Sequence, residues 1–207
     1  MERLRKIVHI KEFVAEFIGE ENNEIKILNN IPGTFILVVI TKSCSLSLTA
    51  LPSPVGSLVG CLAGGLGVMT GIIVTGGASG GLINPAVSVA MVSCNKLPLA
   101  KLPSYLLGQY LGAGVGSLLV VGIYSGWMDG QQFLALATYP GLATDILSQI
   151  LDQATATFLL VLGIFAVVGQ GLQPPSLLVG MVVVAVSLAL GQNAGAAMNP
   201  AVDLMPR

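Results

Sequence analysis

The sequence predicts an all-α membrane protein, built as an inverted repeat with two re-entrant half-helices. Three observations carry this. Of 207 residues, 54% are apolar and only 9% charged, against about 25% charged in a soluble domain, and the mean hydropathy is +0.85. Several apolar runs approach the ~20 residues needed to cross a bilayer. The tripeptide Asn-Pro-Ala occurs twice, at Asn84-Pro85-Ala86 and Asn199-Pro200-Ala201, each after a run of small residues. Asn caps a first helical turn well, and Pro fits the first helical position, where its missing N–H costs nothing. Each tripeptide therefore starts a helix. A helix that starts inside a membrane turns its positive end and an amide side chain toward the middle.

Four spans are read directly: residues 57–75, 103–124, 146–168 and 176–190. The first is less regular. An amphipathic start over residues 12–19 is followed by the polar stretch EENNEIKILNNIPG, residues 20–33, and apolar character resumes over residues 34–50, interrupted by Lys42. Lysine near the centre of a span costs about 2.5–3.5 kcal/mol, and less near an end. Joining the flanks directly gives AEFIG-TFILVVITKSCSLSLT, so residues 20–33 read as an insertion within the first span of a single domain covering residues 1–207. An interfacial loop after a short amphipathic helix is the alternative.

Positive charge sets orientation. Arg3, Arg5, Lys6 and Lys11 precede the first span, Lys96 and Lys101 follow the first Asn-Pro-Ala helix, and the connection 125–145 has no Lys or Arg. The N-terminus and the Lys96–Lys101 loop are thus expected inside, in the cytoplasm, and residues 125–145 outside. Alternation then brings the two tripeptides in from opposite faces. GGLINPAV aligns with GAAMNPAV, and AEFIG at the head of the first span aligns with DQATAT in the fourth, placing Glu16 opposite Gln153. Inverted repeats of this kind place their substrate sites near the bilayer midplane.

The side-chain inventory excludes other chemistry. His9 is the only histidine, and Cys44, Cys61 and Cys94 are scattered in or near apolar segments, so no zinc set or nucleophile–base pair assembles. No enzyme, metal, cofactor or nucleic-acid partner is expected. An ion-coupled transporter is disfavoured because Glu16 and Asp152 are the only acidic candidates within the membrane. The glycines of GCLAGGLG and GQYLGAGVG, at three- and four-residue spacing, read as close helix contacts. Tyr124 and Trp127 read as interface anchors.

With SGGLINPAVSVAM, ATYP, LDQ and MNPAVDLMPR in hand, the chain resembles the aquaporin (major intrinsic protein) family, and most closely its aquaglyceroporin branch. Asp203, two residues after Ala201, is similar to the Asp that glycerol-conducting members carry there. The resemblance implies six spans and two half-helices meeting at a pore centre, assembled as a homotetramer with one pore per subunit. Here five of six spans are found, and the chain stops at Arg207 within the second half-helix. Two readings follow. One is a passive channel for water and neutral solutes such as glycerol and urea, in the plasma membrane. The other is a non-conducting truncated fragment that associates with full-length relatives.

The same resemblance places a constriction at Gly64, Ser187, Ala196 and Val202. This chain departs there from the family pattern, lacking the usual aromatic at Gly64 and the usual Arg at Val202, so a wide pore is expected. Asn84 and Asn199 are expected to donate N–H groups to permeant oxygen. Backbone carbonyls of residues 79–83 and 193–198 are expected to accept. Aquaporin-type pores are themselves the usual illustration of selectivity set by width, lining partners and half-helix dipoles. Glu16 and Gln153 are expected to hold the half-helix loops, with a solvated juxtamembrane charge as the alternative for Glu16. Asp203 is expected to orient loop backbone at the pore mouth, or to serve as a favourable charge in a first helical turn.

Overall fold

The computed structural model describes residues 23–51, 54–128, 132–142 and 145–207. Among them lie seven α-helices: α1 (Asn23–Ala50), α2 (Gly56–Ser79), α3 (Pro85–Ser93), α4 (Leu102–Tyr124), α5 (Ile146–Gly169), α6 (Pro175–Ala194) and α7 (Pro200–Leu204). Short 3₁₀ turns occupy Leu99–Lys101 and Gln132–Leu136. Five helices are long and apolar enough to cross a membrane, from Leu28–Ala50 to Pro175–Ala194. The four spans read directly from sequence agree with α2, α4, α5 and α6 to within a few residues.

The first span is helical through most of the stretch read as an insertion. The 20–33 segment is helical from Asn23 onward and runs into the span without a break, with Pro32 inside α1. Packing explains why. Asn30 and Thr34 are fully buried, and the Thr34 hydroxyl donates to the Asn30 carbonyl, at 3.4 Å. Gly33 lies where a Cβ would come within 2.7 Å of Thr75 and Ile83. Polar groups and a glycine that look like a break in one dimension form the inward face of a helix in three. Proline in a membrane helix is tolerated where neighbouring groups compensate the lost hydrogen bond.

The helices pair as α1 with α4 and α2, α2 with α6, and α6 with α5. The small-residue stretches serve as expected. Gly65 and Gly180 face one another across the α2–α6 crossing, where a Cβ on Gly180 would stand 2.7 Å from the Gly65 carbonyl oxygen. Membrane helices gain little by burying apolar surface from equally apolar lipid, so close backbone approach is what holds them together. At the far ends of α1 and α4, the Tyr124 hydroxyl meets Ser47 Oγ at 3.1 Å and donates to the Ser43 carbonyl, at 3.3 Å. Large apolar side chains such as Leu118 and Phe158 point outward, as a lipid-facing surface requires.

The core interlocks the halves. Val87 of α3 packs with Ala156 and Leu160 of α5, Val183 and Val186 of α6, and Ala196 and Met198. Ala201 and Val202 of α7 pack in turn with Val38 of α1 and Tyr110 and Ala113 of α4. Each half-helix thus helps to fill the core of the opposite half.

Candidate functional site: the junction of two half-helices

Both Asn-Pro-Ala tripeptides form the helix starts expected of them. Asn84 is extended (φ −144°) and its Oδ1 accepts from the Ala86 and Val87 N–H groups, with Pro85 in the first turn of α3. Asn199 is likewise extended (φ −135°), its Oδ1 accepts from Ala201 N–H, and Pro200 opens α7. Ala201 is fully buried.

The two starts meet tip to tip. Asn84 Nδ2 donates to the Met198 carbonyl at 2.9 Å, and Asn199 Nδ2 donates to the Ile83 carbonyl at 2.9 Å. Each amide caps its own helix with its oxygen and ties down the opposite loop with its nitrogen. A primary amide carries two N–H donors, so one remains on each Asn after the crossed bond. Both Asn residues line a cavity of about 300 Å³.

The four expected constriction residues, Gly64, Ser187, Ala196 and Val202, line this same cavity. They are contributed by α2, α6, the loop before α7, and α7. A Cβ added at Gly64 would meet nothing closer than Val183 Cγ1 at 3.9 Å, so that level is roomy. Among the described residues the lining contains no aromatic and no charged side chain. Ser57, Cys61, Thr138 and Gln192 also line it, and sequence reasoning did not single these out.

The irregular loops beside the junction are held by side-chain amides. Gln153, on α5, donates to the Ala194 carbonyl at 2.6 Å and accepts from Ala197 N–H at 3.0 Å. That grip spans Ala196 (φ 43°) and precedes Met198 (φ 50°), both left-handed without being glycine, a geometry that persists only when its surroundings enforce it. Glu16 lies outside the described residues. Within the described residues, the first loop is held by Gln109 of α4, fully buried, whose Nε2 donates to the Leu82 carbonyl and to Ser88 Oγ, each at 2.8 Å. Gln109 was overlooked because it stands inside a glycine-rich packing stretch. An amide in an apolar span was the available signal. Asp152, the neighbour of Gln153, accepts from Asn193 Nδ2 at 3.1 Å.

Asp203 sits at the rim rather than in the lumen. Its Oδ1 accepts from Thr138 N–H at 2.7 Å, and Arg207 donates to its Oδ2 at 3.1 Å. Arg207 also donates to the Thr138 carbonyl at 2.7 Å and lies 5.0 Å from the Tyr139 ring centroid. The ATYP segment is thereby pinned to α7, with Thr138 turned to the cavity. Lys42 is buried in α1, one turn beyond Val38, and the charges facing it are Asp203 and Arg207. No group of His, Cys, Asp and Glu suited to a metal ion occurs among the described residues.

The chain is similar to known proteins in sequence and in fold. The family profile described as Major intrinsic protein matches residues 3–207. Human Aquaporin-9 is 34% identical, with 95% of this chain and 73% of the relative covered. Glycerol uptake facilitator protein 2 of Lactiplantibacillus plantarum is 40% identical, covering 71% of this chain and 66% of the relative. The X-ray structure of the aquaglyceroporin from Plasmodium falciparum matches with a TM-score of 0.83 at 28% identity, covering 90% of this chain and 80% of that one.

Proposed function

Since this chain belongs to the major intrinsic protein family and to its aquaglyceroporin branch, we propose that it is a passive transmembrane channel for water, glycerol and similar neutral solutes, urea included. The crossed hydrogen bonds of Asn84 and Asn199 carry this reading. They present two amide donors side by side in a cavity whose walls are otherwise mostly aliphatic or small residues. A permeant oxygen accepts from these N–H groups while the carbon face of a polyol slides along the aliphatic wall. The N-terminal end of α3 adds positive potential at the same level, which opposes cations.

Asn84, Asn199 and the amide supports form the conducting centre. Gly64, Ser187, Ala196 and Val202 set the width. Their small side chains favour glycerol over a water-only pore. Stopped-flow measurements on proteoliposomes test this directly. Glycerol uptake alongside water is expected, and water permeability with no glycerol uptake rules the reading out. Val202→Arg is expected to lower glycerol permeability about tenfold, equivalent to ~1.4 kcal/mol of barrier, while sparing water. An unchanged glycerol rate would remove Val202 from the constriction.

Cys61 offers a second check, because it lines the cavity in α2. A mercurial is expected to block solute flux in the parent chain and to lose its effect in Cys61→Ser. Block that persists in Cys61→Ser would place the sensitive thiol elsewhere.

Basic residues before the first span and at Lys96 and Lys101 support a cytoplasmic N-terminus, in the plasma membrane. The apolar outer faces of α4 and α5 suit contact with lipid and with neighbouring copies in a homotetramer.

A further inference from the structure

Two side chains that the central junction does not use meet between α2 and α6 at the cavity wall. Gln192, near the end of α6, donates from Nε2 to the Oγ of Ser57 in the first turn of α2. Both line the same lumen as the asparagines. By helical rise, this bridge stands about 7–10 Å farther from the junction than Gly64 and Ser187. The backbone of Gln192 is fixed, since its carbonyl accepts from Leu142 N–H at 3.1 Å. Its side chain is exposed.

The level of Gly64, Ser187, Ala196 and Val202 carries small or aliphatic side chains, and Gly64 has open space before it. The Ser57–Gln192 pair is therefore a polar closure outside a wide, weakly polar ring. We propose that Ser57 and Gln192 form an outer latch that selects the solutes entering the pore, in favour of neutral molecules bearing adjacent donor and acceptor groups. The proposal rests on the channel reading above. Serine hydroxyl and glutamine amide can each donate and accept. A polyol hydroxyl can accept from Gln192 Nε2 and donate to Ser57 Oγ, replacing the bond it breaks. A solute lacking one of these functions leaves a partner unsatisfied.

The test uses the full chain carrying Cys44→Ser and Cys94→Ser, reconstituted in proteoliposomes. Two quantities are read: the rate at which an impermeant maleimide modifies Cys61, one turn inward from Ser57, and the uptake of trimethylamine N-oxide, a neutral solute that accepts but cannot donate, relative to glycerol. Gln192→Ala, which leaves the Ser57 contact with Cys61 in place, is expected to speed Cys61 modification about fivefold, the effect of one net hydrogen bond on the open fraction. Ser57→Ala and Gln192→Ala should each raise the ratio of trimethylamine N-oxide to glycerol uptake. Ser57→Thr, which keeps the hydroxyl, should match the parent in both. Solute flux with unchanged labelling and an unchanged ratio overturns the latch and leaves the channel standing. Faster labelling in a chain that passes no solute overturns the channel reading and solute selection with it, leaving Ser57–Gln192 as a bridge that shields Cys61. Unchanged labelling without flux overturns both.

Discussion

Asn199→Ala is expected to abolish glycerol and water flux, and to do so more completely than Asn84→Ala. Removing the Asn199 amide leaves the buried Ile83 carbonyl without its donor, a loss of about 1–3 kcal/mol. It also strips the cap from Ala201 N–H, worth ~1 kcal/mol. These losses fall on the first turn of α7. α3 has nine residues, and its first turn is anchored further by Gln109 and Ser88. Asn84→Ala therefore loses the same kinds of bond from a sturdier element.

Asn199→Asp separates the two roles of the residue, since a carboxylate can still accept from Ala201 N–H but cannot donate to Ile83. It should fold better than Asn199→Ala and still fail to conduct. Stopped-flow flux gives the conductance, and thermal denaturation in detergent gives the folding. Parent-like glycerol flux in Asn199→Ala would refute the central junction as the conducting element. The opposite order of severity for the two Asn→Ala variants would refute the assignment of α7 as the weaker side.

Gly180→Val is the second large effect, and it acts on stability. A Cβ at Gly180 would stand 2.7 Å from the Gly65 carbonyl oxygen and 3.1 Å from Met69 Cβ. The first neighbour is backbone and cannot rotate away, so α2 and α6 must separate. Overpacking of this kind costs about 1–3 kcal/mol, and in a bilayer the parted surfaces regain little from lipid contact. A fall in melting temperature is expected, together with loss of the cavity wall that Gly64 and Val183 share. Gly76→Ala is the control, because a Cβ there meets nothing within 4 Å. Alanine should be neutral or stabilising there, by about 0.5–1 kcal/mol. Equal melting temperatures for Gly180→Val and the parent would mean that the α2–α6 crossing does not depend on backbone contact.

Much of the site was legible because its signals are local. An Asn-Pro pair caps and starts a helix by the chemistry of adjacent residues, and two copies in inverted halves imply a meeting point. Gln153 was legible by alignment of the halves. Gln109 and the contact of Asp203 with Thr138 were not, since each joins segments far apart in the chain and neither has a repeat partner to announce it. The helical course of α1 through residues 23–33 was hidden for a related reason. Asn30, Pro32 and Gly33 are helix-breaking types, and only the presence of Thr75 and Ile83 across the gap turns Gly33 into a packing residue.

Composition and hydropathy by themselves settled that this chain crosses a membrane as helices, because lipid leaves the backbone no other open form. Its two capping tripeptides settled where the half-helices begin. Which residues share the lumen, which amides hold the loops, and how α1 passes through its polar stretch were decided by the tertiary structure. Those outcomes depend on close approach between distant segments, down to whether a glycine faces open space or another helix's carbonyl.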